Sequence, residues 1–178
     1  MTDKLALRAF TEVDLSFLDR WGTDPETVGP FEWFGFVDPR KRRRRWEKDG
    51  YVSAEHTALA VCEADQPAVG VASYWPKPHG GPPGGCYEIG IALVPECRGR
   101  GLGTAAQRLL VDHLFGYTTA NRVEALTDVE NVAEQKALER AGFAREGLLR
   151  GAYFHRGAWR SLLLYAVLRD DPRPQPSI

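Results

Sequence analysis

The chain has 178 residues, 43% hydrophobic and 26% charged, with a net charge of −1. That balance suits a globular protein with a sizeable core and excludes disordered or fibrous classes. No apolar run reaches membrane-spanning length, the first residues lack a signal peptide's apolar region, and the three cysteines form no C-x-x-C pair. The expectation is a cytoplasmic protein with reduced thiols, no disulfide framework and no metal site.

Lys4 to Phe10 alternates in polarity and predicts a first strand. Thr11-Glu12-Val13-Asp14 approximates a capping box and opens a helix with Leu15, Leu18 and Trp21 on one face and Gly22 as its stop. Thr23 to Val37 is rich in turn formers and carries Phe31, Trp33, Phe34 and Phe36, which read as a loop pinned to the core by its rings. Asp38 as cap and Pro39 at the first position predict a second helix that runs to Gly50.

Within that helix the run Arg40 to Arg45 holds six of the 23 basic residues, leaving 17 basic against 24 acidic residues outside the run. Six cations on one short helix cannot form a core face. A solvated surface is the commonest meaning of such a run; attraction of an anionic acceptor or of an acidic partner surface is the alternative. Nucleic-acid binding ranks below both, because Trp46 is the block's one aromatic neighbour and the rest of the chain is acidic.

Thr57 to Ala64 and Val69 to Trp75 predict an antiparallel hairpin turning at Asp65-Gln66-Pro67. Pro76 to Gly85, with four prolines and four glycines in ten residues, is a flexible connection, and no catalytic role is expected for its His79. The stretch Tyr87 to Gln107 organises the rest. Ile89, Ile91, Leu93 and Val94 read as a buried strand that Pro95 ends. Arg98-Gly99-Arg100-Gly101-Leu102-Gly103 follows, and a helix begins at Thr104. Glycines allow a close backbone approach, and the first amides of a helix have no internal acceptor, so strand, turn, two arginines and helix start together suit a phosphate or pyrophosphate.

Two familiar loops fit poorly. A P-loop needs Gly-Lys-Ser/Thr, and Gly103 is followed by Thr104-Ala105. A dinucleotide fingerprint fits Gly101-Leu102-Gly103-Thr104-Ala105-Ala106, with Glu124 about 20 residues on, but six residues separate Val94 from Gly101.

Thr104 to Phe115 predicts a helix buried through Leu109, Leu110 and Leu114. Arg122 to Thr127 is a strand expected parallel to the Tyr87 strand through a right-handed crossover. Asn131 caps a helix from Val132 to Arg140 that Gly142 closes. Phe143 to Phe154 and Ala158 to Arg169 form a hairpin around His155-Arg156-Gly157. The order β-α-α-β-β-β-α-β-α-β-β predicts an α/β (α+β) fold with a mixed sheet and helices on both faces. One domain is expected over residues 1–170, with a disordered tail at 171–178.

The loop Arg98 to Gly103 matches R/Q-x-x-G-x-G/A, and Asn131 to Phe143 (NVAEQKALERAGF) matches a second segment of the same family. The chain therefore resembles the GNAT superfamily of acyl-CoA-dependent N-acyltransferases. It is most similar to the branch that contains ribosomal-protein N-terminal acetyltransferases and small-molecule acetyltransferases. The resemblance implies a mostly antiparallel sheet of about seven strands, with its two central parallel strands splayed to admit the pantetheine arm of acetyl-CoA, the co-substrate. It implies that backbone amides at Ala92, Leu93 and Val94 hold the pantetheine and polarise the thioester. Amides of Arg98, Gly99, Arg100, Gly101, Leu102, Gly103 and Thr104 would take the pyrophosphate, and Asn131 would hydrogen-bond the cofactor. Trp33, Phe34, Trp75 and Tyr153 would line the acceptor pocket.

The implied reaction is direct transfer of acetyl to a primary amine of a small molecule within a ternary complex, by a monomer or homodimer. A protein N-terminus or lysine is the alternative acceptor, and a non-catalytic acyl-CoA-binding or partner-binding module the alternative class. Glu88 is placed either to deprotonate the amine through water or to act as a structural hydrogen-bonding residue. The family's proton donors are replaced: the usual Tyr position holds Leu138, and the usual Ser position holds Glu134. Water or Tyr153 would then protonate the departing thiolate.

Overall fold

The computed structural model describes residues 5–63 and 66–172. Most of the expected tail, and part of the expected Asp65-Gln66-Pro67 turn, lie outside those residues. Seven strands form one mixed sheet in the order β1-β2-β3-β4-β5-β7-β6. They are β1 (Leu5–Arg8), β2 (Thr57–Glu63), β3 (Gly70–Pro76), β4 (Cys86–Leu93), β5 (Arg122–Asp128), β6 (Ala144–His155) and β7 (Ala158–Leu168). Only β4 and β5 run parallel; every other pair is antiparallel.

The helices are α1 (Leu15–Thr23), α2 (Pro25–Val28), α3 (Lys41–Asp49), α4 (Leu102–Tyr117) and α5 (Val132–Ala141). A cluster of buried side chains around Leu110, Leu114, Leu138 and Tyr165 joins α4 and α5 to the sheet. A second, around Phe10, Phe17, Leu18 and Trp21, joins α1 and its neighbours to it. Two separate apolar clusters are what helices on opposite faces of one sheet require.

Local chemistry accounts for most boundaries. Thr11 and Asp14 form the reciprocal capping box that starts the first helical turn. Asn131 caps α5 by accepting from the Glu134 amide at 3.3 Å, and Gly142 closes it at φ 101°. The final hairpin turns through Arg156 and Gly157, both at positive φ (50° and 81°), the pairing that matches strand twist in a two-residue turn.

Three expectations need correction. Gly22 does not stop α1, which continues to Thr23 and is followed at once by α2 inside the stretch expected to be loop. Asp24 accounts for that helix, since its carboxylate accepts from the Glu26 amide at 3.0 Å and from the Thr27 hydroxyl. Leu109 is 37% exposed; the buried face of α4 runs instead through Ala106, Gln107, Leu110, Val111 and Leu114. Finally, α3 starts at Lys41, because Asp38 caps the preceding turn by accepting from the Arg40 amide at 2.9 Å.

Candidate active site

The parallel pair is short. Cys86–Ile89 pairs with Arg122–Ala125, after which β4 continues to Leu93 and β5 to Asp128 without pairing to each other. The strands part at Gly90. On the other side β4 remains paired to β3 as far as Leu93, and the Val94 amide donates to the Val69 carbonyl at 2.9 Å. Hydrogen bonds to one antiparallel neighbour alternate along a strand. The Val94 bond therefore directs the Ala92 amide toward β3 and the Ile91 and Leu93 amides toward the gap. Of the three residues expected to supply amides there, Leu93 has the right side of the strand; Ala92 and Val94 do not.

Below the gap lies the glycine loop. Gly99 and Gly101 have φ of 74° and 79°, and a Cβ on either would meet nothing within 4 Å. Gly101 starts α4 with no side-chain cap, leaving the amides of Leu102, Gly103 and Thr104 without intrahelical acceptors. The two loop arginines, expected to strengthen an anion site, are committed elsewhere. Arg98 donates to the Leu93 carbonyl at 2.9 Å and to the Thr27 carbonyl at 2.8 Å. Arg100 forms a two-point pair with Glu63 at 2.9 and 2.8 Å. The loop offers an anion its backbone.

Above the gap a cavity of about 420 Å³ extends from Gly90, Ile91, Ala92 and Leu126 to α1 and α3. Its walls include Phe10, Phe17, Trp21 and Trp75. Its charged lining is Glu32, Glu88, Arg42 and Arg45, with His56 beside them. Glu88 is buried and accepts from Lys77 Nζ at 2.5 Å. That bond is the largest influence raising the Lys77 pKa, so Lys77 is held as an ammonium. Glu32 keeps surface at the mouth while protein crowds it on the other sides; this desolvation raises its pKa, and His155 opposes the rise. His56 stacks on Trp75 with centroids 5.4 Å apart. Burial, then Arg45, holds its pKa low, and Arg45 lies 3.1 Å from Nδ1, which fixes that nitrogen as an acceptor and puts the ring proton on Nε2.

Near the start of α5, Glu134 accepts from Gln107 Nε2 at 2.6 Å. Burial pushes its pKa up to about 7; the Gln107 bond opposes the rise, and Glu32 adds to it. Leu138, one turn further on, is fully buried in the core. Tyr153 donates to Asp128 at 2.5 Å, and burial together with that carboxylate pushes its pKa up to about 12. It keeps its proton at neutral pH, but that proton already has an acceptor.

Of the four residues expected to line the acceptor pocket, Trp75 does so. Trp33 and Phe34 line a separate depression with Phe154 and His155, because His155 bonds the Trp33 carbonyl at 2.8 Å and Phe34 packs on the His155 ring at 5.0 Å. Tyr153 packs edge-on against Phe34 and lines neither space. His79, for which no catalytic role is expected, lies 3.1 Å from Glu124. The cavity residues missed by sequence reasoning include Phe10, Phe17, Trp21, Glu32, Arg42, Arg45, Tyr51 and His56. They come from the end of the first strand, two helices (α1 and α3) and two loops, and only the basic block carried a signal.

Residues 4–144 match the family model described as an acetyltransferase (GNAT) domain. The chain is 35% identical over 83 residues to the "Probable N-acetyltransferase YjcK" of Bacillus subtilis (strain 168), and this match spans 47% of the chain and 46% of the relative, about half its length. The structure of spermidine N-acetyltransferase from Vibrio cholerae, in complex with CoA and spermine, superposes with a TM-score of 0.79 at 20% identity, covering 94% of this chain and 96% of that one. Mycobacterium smegmatis RimJ in complex with CoA-disulfide gives 0.74 at 26% identity, covering 92% and 81%.

Proposed function

This chain belongs to the GNAT acetyltransferase family, and from that premise we propose that it transfers an acetyl group from acetyl-CoA to a primary amine of a small molecule, directly and within a ternary complex. One observation carries the reading: β4 and β5 part at Gly90, directly beneath a cavity that contains a buried carboxylate, Glu88. The gap can admit a thioester arm and the cavity can hold the amine that attacks it. The neighbours whose structures contain CoA, one of them also spermine, support both halves.

Each group then has a task. Loop amides from Gly99 to Thr104 take the pyrophosphate, with the helix dipole adding to them. Asn131, at the mouth of α5, hydrogen-bonds the cofactor as well as capping its helix. The gap-facing Leu93 amide polarises the thioester carbonyl and stabilises the oxyanion. Glu88, which accepts from Lys77, receives the amine's proton through water. Glu134 occupies the position where the ribosomal branch has its serine and supplies the proton for the departing thiolate. Its pKa of about 7 matches that duty, since a donor works best when its pKa is close to the working pH.

The test is thiol release from acetyl-CoA in the presence of a panel of amines, amino acids, polyamines and short peptides. Release that depends on the amine and yields an N-acetyl product is the expected result. Release with none of them, although acetyl-CoA raises the melting temperature, would overturn the acceptor assignment; no thermal shift would remove the cofactor assignment as well.

A further inference from the structure

We propose that the acceptor is an amino acid-like molecule, an amine that also carries a carboxylate, and that Arg42 is the residue that binds this carboxylate. The inference rests on the reading of the cavity as the acceptor site.

The basic helix is where the observation lies. Arg40 and Arg44 pair with Asp38, Arg43 pairs with Asp19, and Arg45 reaches Asp49. Arg42 points the other way, into the cavity, and among the described residues it forms no ion pair. Its Nε is buried and has no hydrogen-bond acceptor. Its guanidinium carbon lies 5.9 Å from the Trp21 ring centroid, which supports the group from one side without neutralising it. A guanidinium stays charged throughout the accessible pH range, so a half-buried one that meets the Tyr51 side chain but no carboxylate is a standing cost to the fold.

The fold makes room for this arrangement. A Cβ on Gly22 would stand 3.3 Å from Arg42 Cδ and 3.4 Å from Nε, so the bare α1 backbone is the channel through which the side chain enters. The carbonyl of Arg42 accepts from the Tyr51 hydroxyl at 3.0 Å, which fixes the helix at that level. The second arginine of the lining does not duplicate the site, because Arg45 donates to the His56 carbonyl at 2.8 Å and lies over the Tyr51 ring.

The rest of the lining supplies the other half of the match. Glu88 and Glu32 favour the ammonium end of a ligand, and the rings of Phe10, Phe17 and Trp75 favour a partly apolar body. A cavity of about 420 Å³ holds a molecule the size of an aromatic amino acid. A polyamine would bring only positive charge to Arg42.

The experiment compares matched acceptors: phenylalanine with phenethylamine and tryptophan with tryptamine, with ω-amino acids and spermidine as further arms. The wild-type chain should give kcat/KM at least about 10-fold higher for the acid of a pair, as expected when a charged partner is removed from one side of a buried contact. Arg42→Gln should abolish that preference by raising KM for the acid, while leaving the amine within about 3-fold. Gly22→Ala keeps the arginine but obstructs its path and should weaken the same preference; Arg44→Gln, on the solvated side, should not. Equal turnover of acid and amine, a preference for spermidine, or an unchanged ratio in Arg42→Gln would overturn the assignment while leaving the acetyltransferase reading intact. Failure of every amine would remove both together.

Discussion

Two glycines each open a path for an arginine, and the two arginines end differently. Gly29, at φ 93°, lies where a Cβ would crowd the Arg98 guanidinium at 3.3 Å, and Arg98 goes on to two backbone carbonyls. Gly22 gives the same clearance to Arg42, which reaches no acceptor for its Nε. The first arginine belongs to the glycine loop and ties it to β4 and α2. The second belongs to the cavity. On the proposed function the contrast separates the two halves of the site: the glycine loop offers its backbone while its arginines hold that backbone in shape, whereas the cavity offers side chains.

Substitutions can break that contrast, and the largest effect is expected at the boundary between the halves. Glu88→Gln should lower kcat/KM by about 10²–10⁴-fold; full activity would assign Glu88 to structure alone. On the cofactor side, Gly101→Val places a branched side chain at φ 79° over the helix start. CoA affinity measured by calorimetry should fall about 100-fold, and a near-normal value would mean that the loop amides are not the anion site.

Stability gives the next contrast, since one buried acid ties the start of the first helical segment to Arg8 and to Ala68. Asp14 is fully buried and accepts from Arg8, from Thr11 and from the Ala68 amide at 2.9 Å. Burial opposes its ionisation, but these bonds prevail and lower its pKa from 3.8 to about 2. A carboxylate depressed by folding stabilises the fold above its ordinary pKa and loses that contribution as pH falls toward about 2. Asp14→Ala should therefore cost about 3 kcal/mol at neutral pH, chiefly from amides left without an acceptor. It should also reduce the loss of stability between pH 4 and about 2; chemical denaturation at several pH values measures both.

Smaller changes sharpen the same picture. Glu134 is protonated below a pKa of about 7, so a donor role predicts that kcat declines as pH rises through that value. Glu134→Gln should lower kcat about 10-fold and remove the decline. A variant that keeps the wild-type profile would return the task to water. Arg100→Gln should change CoA affinity by less than about 3-fold, because the guanidinium is already paired with Glu63 at the surface. A larger drop would mean that the arginine lets go of Glu63 to meet the cofactor.

The amino-acid order determined the strands, the capped helices and the glycine loop, because each depends on neighbours a few residues apart. The Thr11–Asp14 box, the Asn131 cap, Gly142 and the Arg156-Gly157 turn all formed where the sequence placed them. The loop was legible for the same reason: the groups it offers are consecutive backbone amides, and glycine marks where they are exposed. The acceptor cavity depends on pairing over long distances. Whether an arginine faces solvent or a cavity is decided by which carboxylates the fold brings within reach, and Asp19, Asp38 and Asp49 take the neighbours of Arg42 but not Arg42 itself. In the same way, one bond from His155 draws Trp33 away from the pocket that the family resemblance implied for it. Local hydrogen bonding is written along the chain, whereas the partner that a charged or aromatic side chain finds is settled only once the sheet and its helices have closed around it.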